Sequence, residues 1–370
     1  MGVNPRPARR ATLKEVAAEL GVAPSTVSNA YNRPDQLSPA LRERVFEAAR
    51  QLGYPGPNPV ARGLRRGAAG ALGVLYAGRL SYAFADPAAV LFLQGVAEAA
   101  EEAMLGLLLV SGARRGPSDP AAIGDAAVDG FVVYSMAEGD ALTGAAVARR
   151  LPVVLVDQAA RGGRAGRPGA AAVSWVGVDD EGGARAAAEH VLALGHRRLG
   201  VVSLELAPDG RRGLASARRC AEASYWPPRA RLRGYAAAVE AAGLAWAETA
   251  AVYETAENVP AEGREAAGAL LDRAAPPTAL LAMSDQLALG ALEAARCRGL
   301  RVPEDVSVVG FDDVPAAGLA GLTTVHQPHV EKGATAVRLL VAWLRDEPAP
   351  SPPALPTRLV VRASTGPPPA

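Results

Sequence analysis

Between residues 71 and 311, apolar runs of strand length alternate with Ala-rich segments of helix length. The apolar runs predict strands at residues 71–76, 105–110, 130–134, 153–156, 174–178, 199–203, 279–283 and 306–311. The segments between them predict helices at residues 87–104, 181–194, 229–242, 260–273 and 285–298. Near-continuous apolar strands separated by helices are typical of parallel sheets covered on both faces. About 300 residues of this pattern predict two doubly wound α/β lobes rather than one.

Parallel sheets of this kind bind ligands beyond the carboxyl ends of their strands. Two lobes that face each other would close over a small molecule. The sequence contains no G-x-S-x-G, no G-x-x-x-x-G-K-[ST] and no H-E-x-x-H motif. We therefore expect this body to bind a ligand rather than to catalyse a reaction, and we expect no cofactor.

The stretch TLKEVAAELGVAPSTVSNAYN, residues 12–32, has the pattern of two short helices joined by a tight turn. Thr12 is a good N-cap, and Glu15 stands where a capping box requires an acid. Gly21 is a natural left-handed helix stop, and Pro24 fits the first turn of the next helix. The head is therefore predicted to contain helices at residues 13–20, 24–31 and 39–52.

The second of these helices would present small polar side chains outward, namely Ser25, Thr26, Ser28 and Asn29. Such side chains can approach base edges and phosphates closely. An αα-hairpin with no role in DNA binding has the same spacing, so this stretch by itself leaves both interpretations open.

The formal charge of +1 hides an uneven distribution. Residues 1–70 carry eleven Lys and Arg against five Asp and Glu, a charge of +6, which leaves −5 for the rest of the chain. A basic head on a mildly acidic body indicates a polyanion partner for the head alone. No apolar segment follows the polar N-terminus and no run of about 18 uncharged apolar residues occurs, so we expect neither a secretory signal nor a membrane span.

Two further patterns could suggest chemistry. His326 and His329 form H-Q-P-H, but only Glu331 stands nearby to complete a metal site, so we interpret them as loop histidines and expect no metal. Cys220 and Cys297 form no disulfide framework, and we expect reduced thiols in the cytoplasm.

Three segments of the head together resemble the LacI/GalR family of bacterial transcriptional repressors: TLKEVA…GV…STVS…N, LSPALRERVFEAARQLGY and NPVARGL. The resemblance continues through GVDDEGGARAAAEHVLALGHRRLGVVS, ARLRGYAAAVEAAGL, AMSDQLALGALEAARCRGLRVPEDVSVVGFDD and LTTVHQPHVEKGATAVRLL, and it covers about residues 11–365. It implies an all-α helix-turn-helix head with a hinge helix, followed by a two-lobe, periplasmic-binding-protein-like body of doubly wound parallel sheets. It also implies a homodimer that binds a double-stranded DNA operator and responds to a small-molecule effector.

In that family the second helix enters the major groove, and Pro24, Ser25 and Asn29 match its base-reading positions. Pro24 differs from a polar residue at such a position, because its side chain cannot form a hydrogen bond and can offer a base only apolar contact. The segment NPVARGL matches the hinge helix, in which a leucine, here Leu64, wedges into the minor groove and bends the duplex. The expected DNA-binding residues are Thr12, Pro24, Ser25, Thr26, Ser28, Asn29, Asn32, Asn58, Ala61 and Leu64.

The same resemblance implies charged residues that bind the effector. Asp285 follows an apolar strand and is either a helix cap or the family's effector-binding aspartate. Arg231, in RLRGY, matches the family's effector-binding arginine, although an arginine in this position could also be a solvated residue at a helix end. Asp157 matches a position that lines the cleft, although it could equally cap the end of its strand.

Three other residues are candidates from their positions. Tyr82 and Phe84 could stack against the effector, with packing in the core or at a dimer interface as the alternative. Asn258 is a candidate because of its place in a loop. A carboxylate, an arginine and aromatic rings suit a sugar-like effector, and a nucleoside-like effector fits as well.

We therefore expect a DNA-binding domain at residues 1–57, a hinge helix and linker at residues 58–69, an effector-binding and dimerisation domain at residues 70–365, and a disordered tail at residues 366–370. Residues 161–172 and an insertion at residues 208–228 are expected to be exposed loops. A solute-binding protein with the same body is the alternative, but it would carry a signal peptide and no basic head.

Overall fold

The computed structural model describes residues 11–56, 68–78, 80–112, 120–158, 172–348 and 354–369. The chain divides into two compact units, Met1–Ala69 and Gly70–Ala370. Among the described helices, none is long and apolar enough to cross a membrane. The predicted hinge helix lies outside the described residues, as do its candidate residues Asn58, Ala61 and Leu64.

The first unit contains three helices, α1 (Leu13–Leu20), α2 (Pro24–Asn32) and α3 (Pro39–Gln51), each within one residue of its predicted bounds. Thr12 and Glu15 form the predicted capping box, and Gly21 ends α1 in the left-handed conformation at φ 65°. The small core of this unit is apolar and nearly inaccessible to solvent. Its most buried side chains are Val16, Ala17, Val27, Ala30, Val45 and Ala49.

The second unit begins with a lobe built on a five-stranded parallel sheet in the order β2-β1-β3-β4-β5. Its strands are β1 (Ala71–Tyr76), β2 (Gly106–Ser111), β3 (Gly130–Tyr134), β4 (Val153–Val156) and β5 (Val173–Val176). Its helices are α4 (Leu80–Ala85), α5 (Pro87–Glu102), α6 (Ala121–Gly124) and α7 (Ala141–Ala148). We call this the first lobe.

The second lobe is built on a seven-stranded sheet in the order β12-β11-β10-β9-β6-β8-β7, in which only β12 and β7 run antiparallel to their neighbours. Its strands are β6 (Leu199–Ser203), β7 (Gly213–Leu214), β8 (Ala250–Glu254), β9 (Ala279–Ala282), β10 (Ser307–Asp312), β11 (Thr323–His326) and β12 (Arg358–Val360). Its helices are α8 (Asp180–Ala193), α9 (Ala217–Ala221), α10 (Trp226–Ala241), α11 (Trp246–Thr249), α12 (Pro260–Leu271), α13 (Asp285–Cys297) and α14 (Pro315–Leu319).

Helix α15 (His329–Leu344) returns the chain to the first lobe. Its buried side chains, including Val337 and Leu340, join the core that β1 and α5 build around Leu72 and Phe92. The two lobes are therefore interwoven by the chain, and the segment before α15 crosses from one to the other.

All eight predicted strands are present within two residues of their predicted bounds, but β7, β8, β11 and β12 were not predicted. Strand β11 has the sequence TTVH and does not look like an apolar run. Its two threonines are nevertheless fully buried, because the Thr324 hydroxyl donates to Asp285 and the Thr323 N–H donates to the Ser364 hydroxyl. Polar side chains can be buried at little cost when their hydrogen bonds are satisfied inside the protein.

The insertion at residues 208–228 is not the exposed loop that we expected. It contains β7 and α9, and Ala223 is 3% exposed. The Arg219 guanidinium lies 2.7 Å from carboxylates of both Glu254 and Asp209, which ties α9 to the sheet. Of the predicted loop at residues 161–172, only Ala172 lies within the described residues.

The predicted disorder at residues 366–370 is wrong for Gly366. Its carbonyl oxygen accepts a hydrogen bond from His196 Nε2 at 2.8 Å, and its N–H donates to the Ser307 hydroxyl at 3.0 Å. Ser364, just before it, is 4% exposed and donates to the Val308 carbonyl oxygen. A Pro-rich end has a low propensity for helix or strand, but these tertiary hydrogen bonds order it.

Helices α5 and α15 approach closely at Gly95, where a methyl group would collide with the Val330 carbonyl oxygen. We expect Gly95→Ala to lower the free energy of unfolding by about 1–3 kcal/mol, as overpacking does. Gly144→Ala is the matched control, because Gly144 lies in α7 with open space around it, and it should raise stability by about 0.5–1 kcal/mol. Urea unfolding followed by circular dichroism measures both, and equal effects would contradict this packing.

Candidate functional site

One cavity lies at the point in each lobe where the strand order of the sheet reverses. In the first lobe the chain order reverses between β1 and β3, and in the second lobe between β6 and β9. Ligands bind at such switch points, beyond the carboxyl ends of the strands. A cavity of about 210 Å³, here called the inner cavity, is lined at these four strand ends by Tyr76, Tyr134, Leu204 and Met283.

Three residues that line the inner cavity have a backbone conformation that L-residues rarely adopt. Ser135 follows β3 at φ 46°, Asp157 follows β4 at φ 52°, and Asp312 ends β10 at φ 131°. Non-glycine residues in these regions cost of order 1–3 kcal/mol each and cluster at functional sites. The strain thus marks the same strand ends as the sheet topology.

A buried ion pair lies in the wall of the inner cavity. Lys332 Nζ, on the first turn of α15, is 2.6 Å from Asp157 Oδ2, and the two side chains are 1% and 8% exposed. Lys332 also donates to Gln327 Oε1 at 3.4 Å. The second carboxylate oxygen, Asp157 Oδ1, is buried and has no partner among the described residues, so its capacity to accept a hydrogen bond is unused.

A second buried pair holds the other cation of the cavity. Arg231, on α10, donates from Nε and Nη2 to Asp180 Oδ1 at 2.9 and 2.8 Å, and from Nη1 to the Met283 carbonyl oxygen. Its guanidinium carbon lies 3.7 Å from the centre of the Phe311 ring. Burial raises the pKa of Asp180 to about 6, and the charge of Arg231 opposes that rise. Arg231 is therefore held in place by the protein before any ligand arrives.

Asp312, at the end of β10, lies close to His329, the first residue of α15. Gln327 Nε2 donates to Asp312 Oδ1 at 2.6 Å, and His329 Nε2 lies 3.8 Å from the same oxygen. Burial lowers the pKa of His329 well below its usual value, so the ring is neutral at pH 7. Neither ring nitrogen makes a hydrogen bond to a described residue, which leaves one donor and one acceptor unused.

Asn258, from the loop after β8, bridges the two lobes. Its side-chain oxygen accepts from the Ser284 hydroxyl in the second lobe. In the first lobe, Asn258 forms hydrogen bonds with Asp86 and Tyr82. Burial raises the pKa of both groups, and these hydrogen bonds oppose the rise. The cleft is thus held by an amide that contacts both sides.

The inner cavity opens toward a larger space of about 730 Å³, here called the outer chamber. The two share Tyr82, Ser135 and Asn258, while Glu205 and Glu257 line only the outer chamber. None of the described residues that line the outer chamber is a lysine or an arginine. Together the two spaces have the size of a small-molecule site.

Four of the predicted effector-binding residues come together at the inner cavity: Tyr82, Asp157, Arg231 and Asn258. Phe84 does not, because it is 61% exposed on α4 and lines neither space. The spacing of two residues places it on a different side of the helix from Tyr82.

Asp285 also lies away from the cavity surface. It is fully buried, and its carboxylate accepts from the Thr324 hydroxyl at 2.5 Å and from the Val314 N–H at 2.8 Å. The helix cap is Ser284 rather than Asp285. Asp285 therefore joins α13 to β11 and to the segment after β10, a structural role.

Sequence reasoning missed several residues that line the inner cavity: Tyr76, Asp86, Tyr134, Ser284, Asp312, Gln327, His329 and Lys332. One available signal was the pair of aspartates in GFDD, directly after an apolar run. Another was Lys332, one of only two lysines in the chain. The histidines of H-Q-P-H differ in role, since His326 is bonded to Asp313 while His329 lines the cavity.

No group of residues suited to a metal ion occurs within the described part of the chain.

In the head, Pro24 and Ser25 are exposed on the first turn of α2, while Thr26, Ser28 and Asn29 are half-buried. Asn29 donates to Gln36 Oε1 at 3.2 Å, which orients its amide. Asn32 donates to the Ser28 carbonyl oxygen at 2.9 Å, and Thr12 caps α1. Both Asn32 and Thr12 thus have structural contacts in addition to any contact with DNA.

Burial raises the pKa of Asp285 to about 6, so the folded state holds its proton more tightly than the unfolded state. The stability that this contributes is present at low pH and is lost as the pH rises through about 6. As the pH falls from 7 to 4.5, wild type should gain stability over Asp285→Asn by up to about 1.4 kcal/mol per pH unit.

Urea unfolding at several pH values tests this difference. Asp305→Asn is the control, because Arg301 lowers the pKa of Asp305 to about 2 and its effect should not change over the same range. A wild-type advantage over Asp285→Asn that does not depend on pH would contradict the assignment.

Comparison with known proteins identifies two families along the chain. The family described as "Bacterial regulatory proteins, lacI family" matches residues 12–58, and the "Periplasmic binding protein-like domain" matches residues 188–365. The HTH-type transcriptional regulator Rv3575c of Mycobacterium tuberculosis is 45% identical over 368 residues, which are 99% of this chain and 100% of that protein.

Two solved structures are similar over nearly their full length. A LacI-family transcriptional regulator from Corynebacterium glutamicum is 34% identical with a TM-score of 0.70, covering 96% of this chain and 98% of that one. The complex of the transcriptional regulator CelR with cellobiose is 30% identical with a TM-score of 0.65, covering 96% and 100%. The chain therefore belongs to the LacI family of helix-turn-helix, DNA-binding transcriptional regulators, and it is not an enzyme.

Proposed function

We propose that this regulator is a cytoplasmic repressor that binds a palindromic operator as a homodimer and responds to a small-molecule effector in the cleft. One observation carries the proposal: a single chain joins a helix-turn-helix head to a cleft whose inner cavity retains unpartnered polar atoms. The similar CelR structure is described as a cellobiose complex, which supports a sugar-like effector. A nucleoside-like effector is the second candidate, since Tyr76 and Tyr134 offer ring surfaces.

The proposed DNA contacts lie on the exposed part of α2, with Pro24, Ser25, Thr26, Ser28 and Asn29 facing the major groove. Asn29 is the strongest candidate to read a base, because an amide can make a bidentate contact to adenine. Its hydrogen bond to Gln36 holds the amide in one orientation before binding. Pro24 would contribute apolar contact only.

We propose a homodimer because a palindromic operator has two-fold symmetry, and two copies of one head would bind its two halves. Asn58, Ala61 and Leu64 are proposed to act in paired hinge helices. There the Leu64 side chain would wedge between base pairs at the centre of the operator.

The effector would act by shifting a population between lobe arrangements. Asn258 bonds Tyr82 and Asp86 of the first lobe, and Lys332 on α15 bonds Gln327 after β11, so these contacts favour one lobe arrangement. An effector that replaces or adds to these bonds favours one arrangement. The ratio of its affinities for the two lobe arrangements sets how far operator binding changes.

The decisive experiment is selection of bound fragments from a random DNA pool, with and without a panel of sugars and nucleosides. An enriched palindrome, whose affinity falls steeply with salt, is the expected result. A solute-binding protein without a regulatory role would enrich no sequence, and that outcome would sink the proposal.

For the head, we expect Ser25→Asp to weaken binding to the selected operator by roughly 100-fold or more. The new carboxylate would face phosphates or base edges, and like charges at a contact cost several kcal/mol. An acid in the first turn of α2 suits the helix dipole, so the head should stay folded.

Ala18→Asp is the matched control for that variant. Ala18 is exposed on α1 beside the acidic Glu19, and none of the proposed major-groove contacts lies on that helix. Fluorescence anisotropy should find nearly unchanged affinity for Ala18→Asp, and equal losses for the two variants would argue against α2 as the reader.

For the cleft, Tyr82→Ala should weaken effector binding by roughly tenfold or more, about 1.4 kcal/mol, because Tyr82 lines both spaces and the variant loses its whole ring. Phe84→Ala, two residues away on α4 and outside both spaces, should leave effector affinity unchanged. Calorimetry with the tightest-binding compound of the panel measures both. A larger loss for Phe84→Ala would show that the effector binds elsewhere.

A further inference from the structure

The charges around the cleft are unbalanced. The inner cavity is lined by the carboxylates of Asp86, Asp157 and Asp312, and the outer chamber adds Glu205 and Glu257. Among the described lining residues, the permanent positive charges are those of Arg231 and Lys332 alone. Carboxylates therefore outnumber cations on the walls of the site.

Both cations are already engaged by the protein. Lys332 is paired with Asp157 at 2.6 Å, and Arg231 is held by Asp180 at 2.8 Å and by the Met283 carbonyl oxygen. A phosphate or carboxylate on a ligand would have to compete with these buried aspartates for the same donors. Displacing a buried partner leaves its charge uncompensated, which is strongly unfavourable.

The walls already resist negative charge. Burial raises the pKa of Asp86, and it raises that of Asp312 well above its usual value, with the charge of Asp285 adding to the effect. The N-terminus of α15 is an electropositive element beside the cavity, and Asp312 Oδ1 lies 3.8 Å from the ring nitrogen Nε2 of His329, the first residue of that helix. An acidic side chain therefore already lies near that positive end.

The unused hydrogen-bonding atoms point to hydroxyl groups instead. Asp157 Oδ1 can only accept, the Tyr76 hydroxyl can donate or accept, and neutral His329 offers one donor and one acceptor. A hydroxyl both donates and accepts, so a ligand with several hydroxyls can satisfy all of these atoms together. The packed rings of Tyr76, Tyr134 and Phe92 give the same cavity an apolar side for the carbon skeleton.

We propose that the effector is an uncharged polyhydroxylated molecule and that the cleft rejects its phosphorylated and carboxylated forms. This inference rests on the proposed function in taking the cleft as the effector site. It narrows the effector from sugar-like or nucleoside-like compounds in general to their unphosphorylated, neutral members.

The test is calorimetry on the full chain with a panel of pentoses, hexoses, disaccharides, cyclitols and nucleosides, each beside its phosphate or uronic acid. We expect at least one neutral member to bind and its charged counterpart to bind roughly 100-fold more weakly or not at all. Tighter binding of a charged member, or binding by no neutral member, would overturn the inference.

A matched pair of variants tests whether the acidic side chains of the cavity wall cause the preference for a neutral ligand. Asp86→Asn replaces an acidic side chain of the inner cavity by a neutral amide and keeps the cap of α5, because Asn caps helices as well as Asp does. It should narrow the preference for the neutral member by roughly tenfold. Asp140→Asn, at the equivalent cap of α7 outside both spaces, should leave the preference unchanged. Equal preferences in wild type and Asp86→Asn would contradict the electrostatic argument.

Operator binding measured in parallel separates this inference from the proposed function. A phosphorylated ligand that binds the cleft and changes operator affinity would overturn the inference and leave the regulator intact. A chain that binds no operator under any condition would overturn the proposed function itself.

Discussion

The buried ion pair between Lys332 and Asp157 is the interaction on which the cleft depends. Each side chain is almost fully removed from water, so the loss of either would leave an uncompensated buried charge, at a cost of about 3–5 kcal/mol. Lys332 also reaches Gln327, which in turn donates to Asp312 in the second lobe. One hydrogen-bonded path thus runs from the end of β4, through the crossing segment, to the end of β10.

This path explains why a cleft with so many carboxylates can be stable while some of its polar atoms keep no partner. Every lining cation has an aspartate partner, while Asp157 Oδ1 and the His329 nitrogens remain without one. The strained backbone at Asp157 and Asp312 sets the direction in which each of these two side chains leaves its strand end, and a preset direction would reduce the ordering cost of binding. Asn258 completes the arrangement at the mouth, where a change in lobe closure would alter its contacts.

Strands whose burial comes from apolar side chains could be predicted from the sequence, and β1, β3, β4 and β6 have the predicted bounds to the residue. Strand β11 could not, because its threonines are buried by hydrogen bonds to Asp285 and Ser364 that join distant parts of the chain. The same holds for Gly366, which the bonds to His196 and Ser307 order. Periodicity reports local burial, and it carries no information about partners that are far away in sequence.

The sequence by itself determined the head with its capping box, the alternation that forms two parallel-sheet lobes, and the family. It also placed Asp157, Arg231, Asn258 and Tyr82 at the cleft. Only the tertiary structure decided that Asp312 rather than Asp285 faces the cavity. Both aspartates lie at strand ends, but Asp285 turns inward to bond β11, while the unusual backbone of Asp312 turns its carboxylate to the cleft. The direction of a side chain at a strand end depends on which donors the rest of the fold brings near it, and no local pattern specifies that.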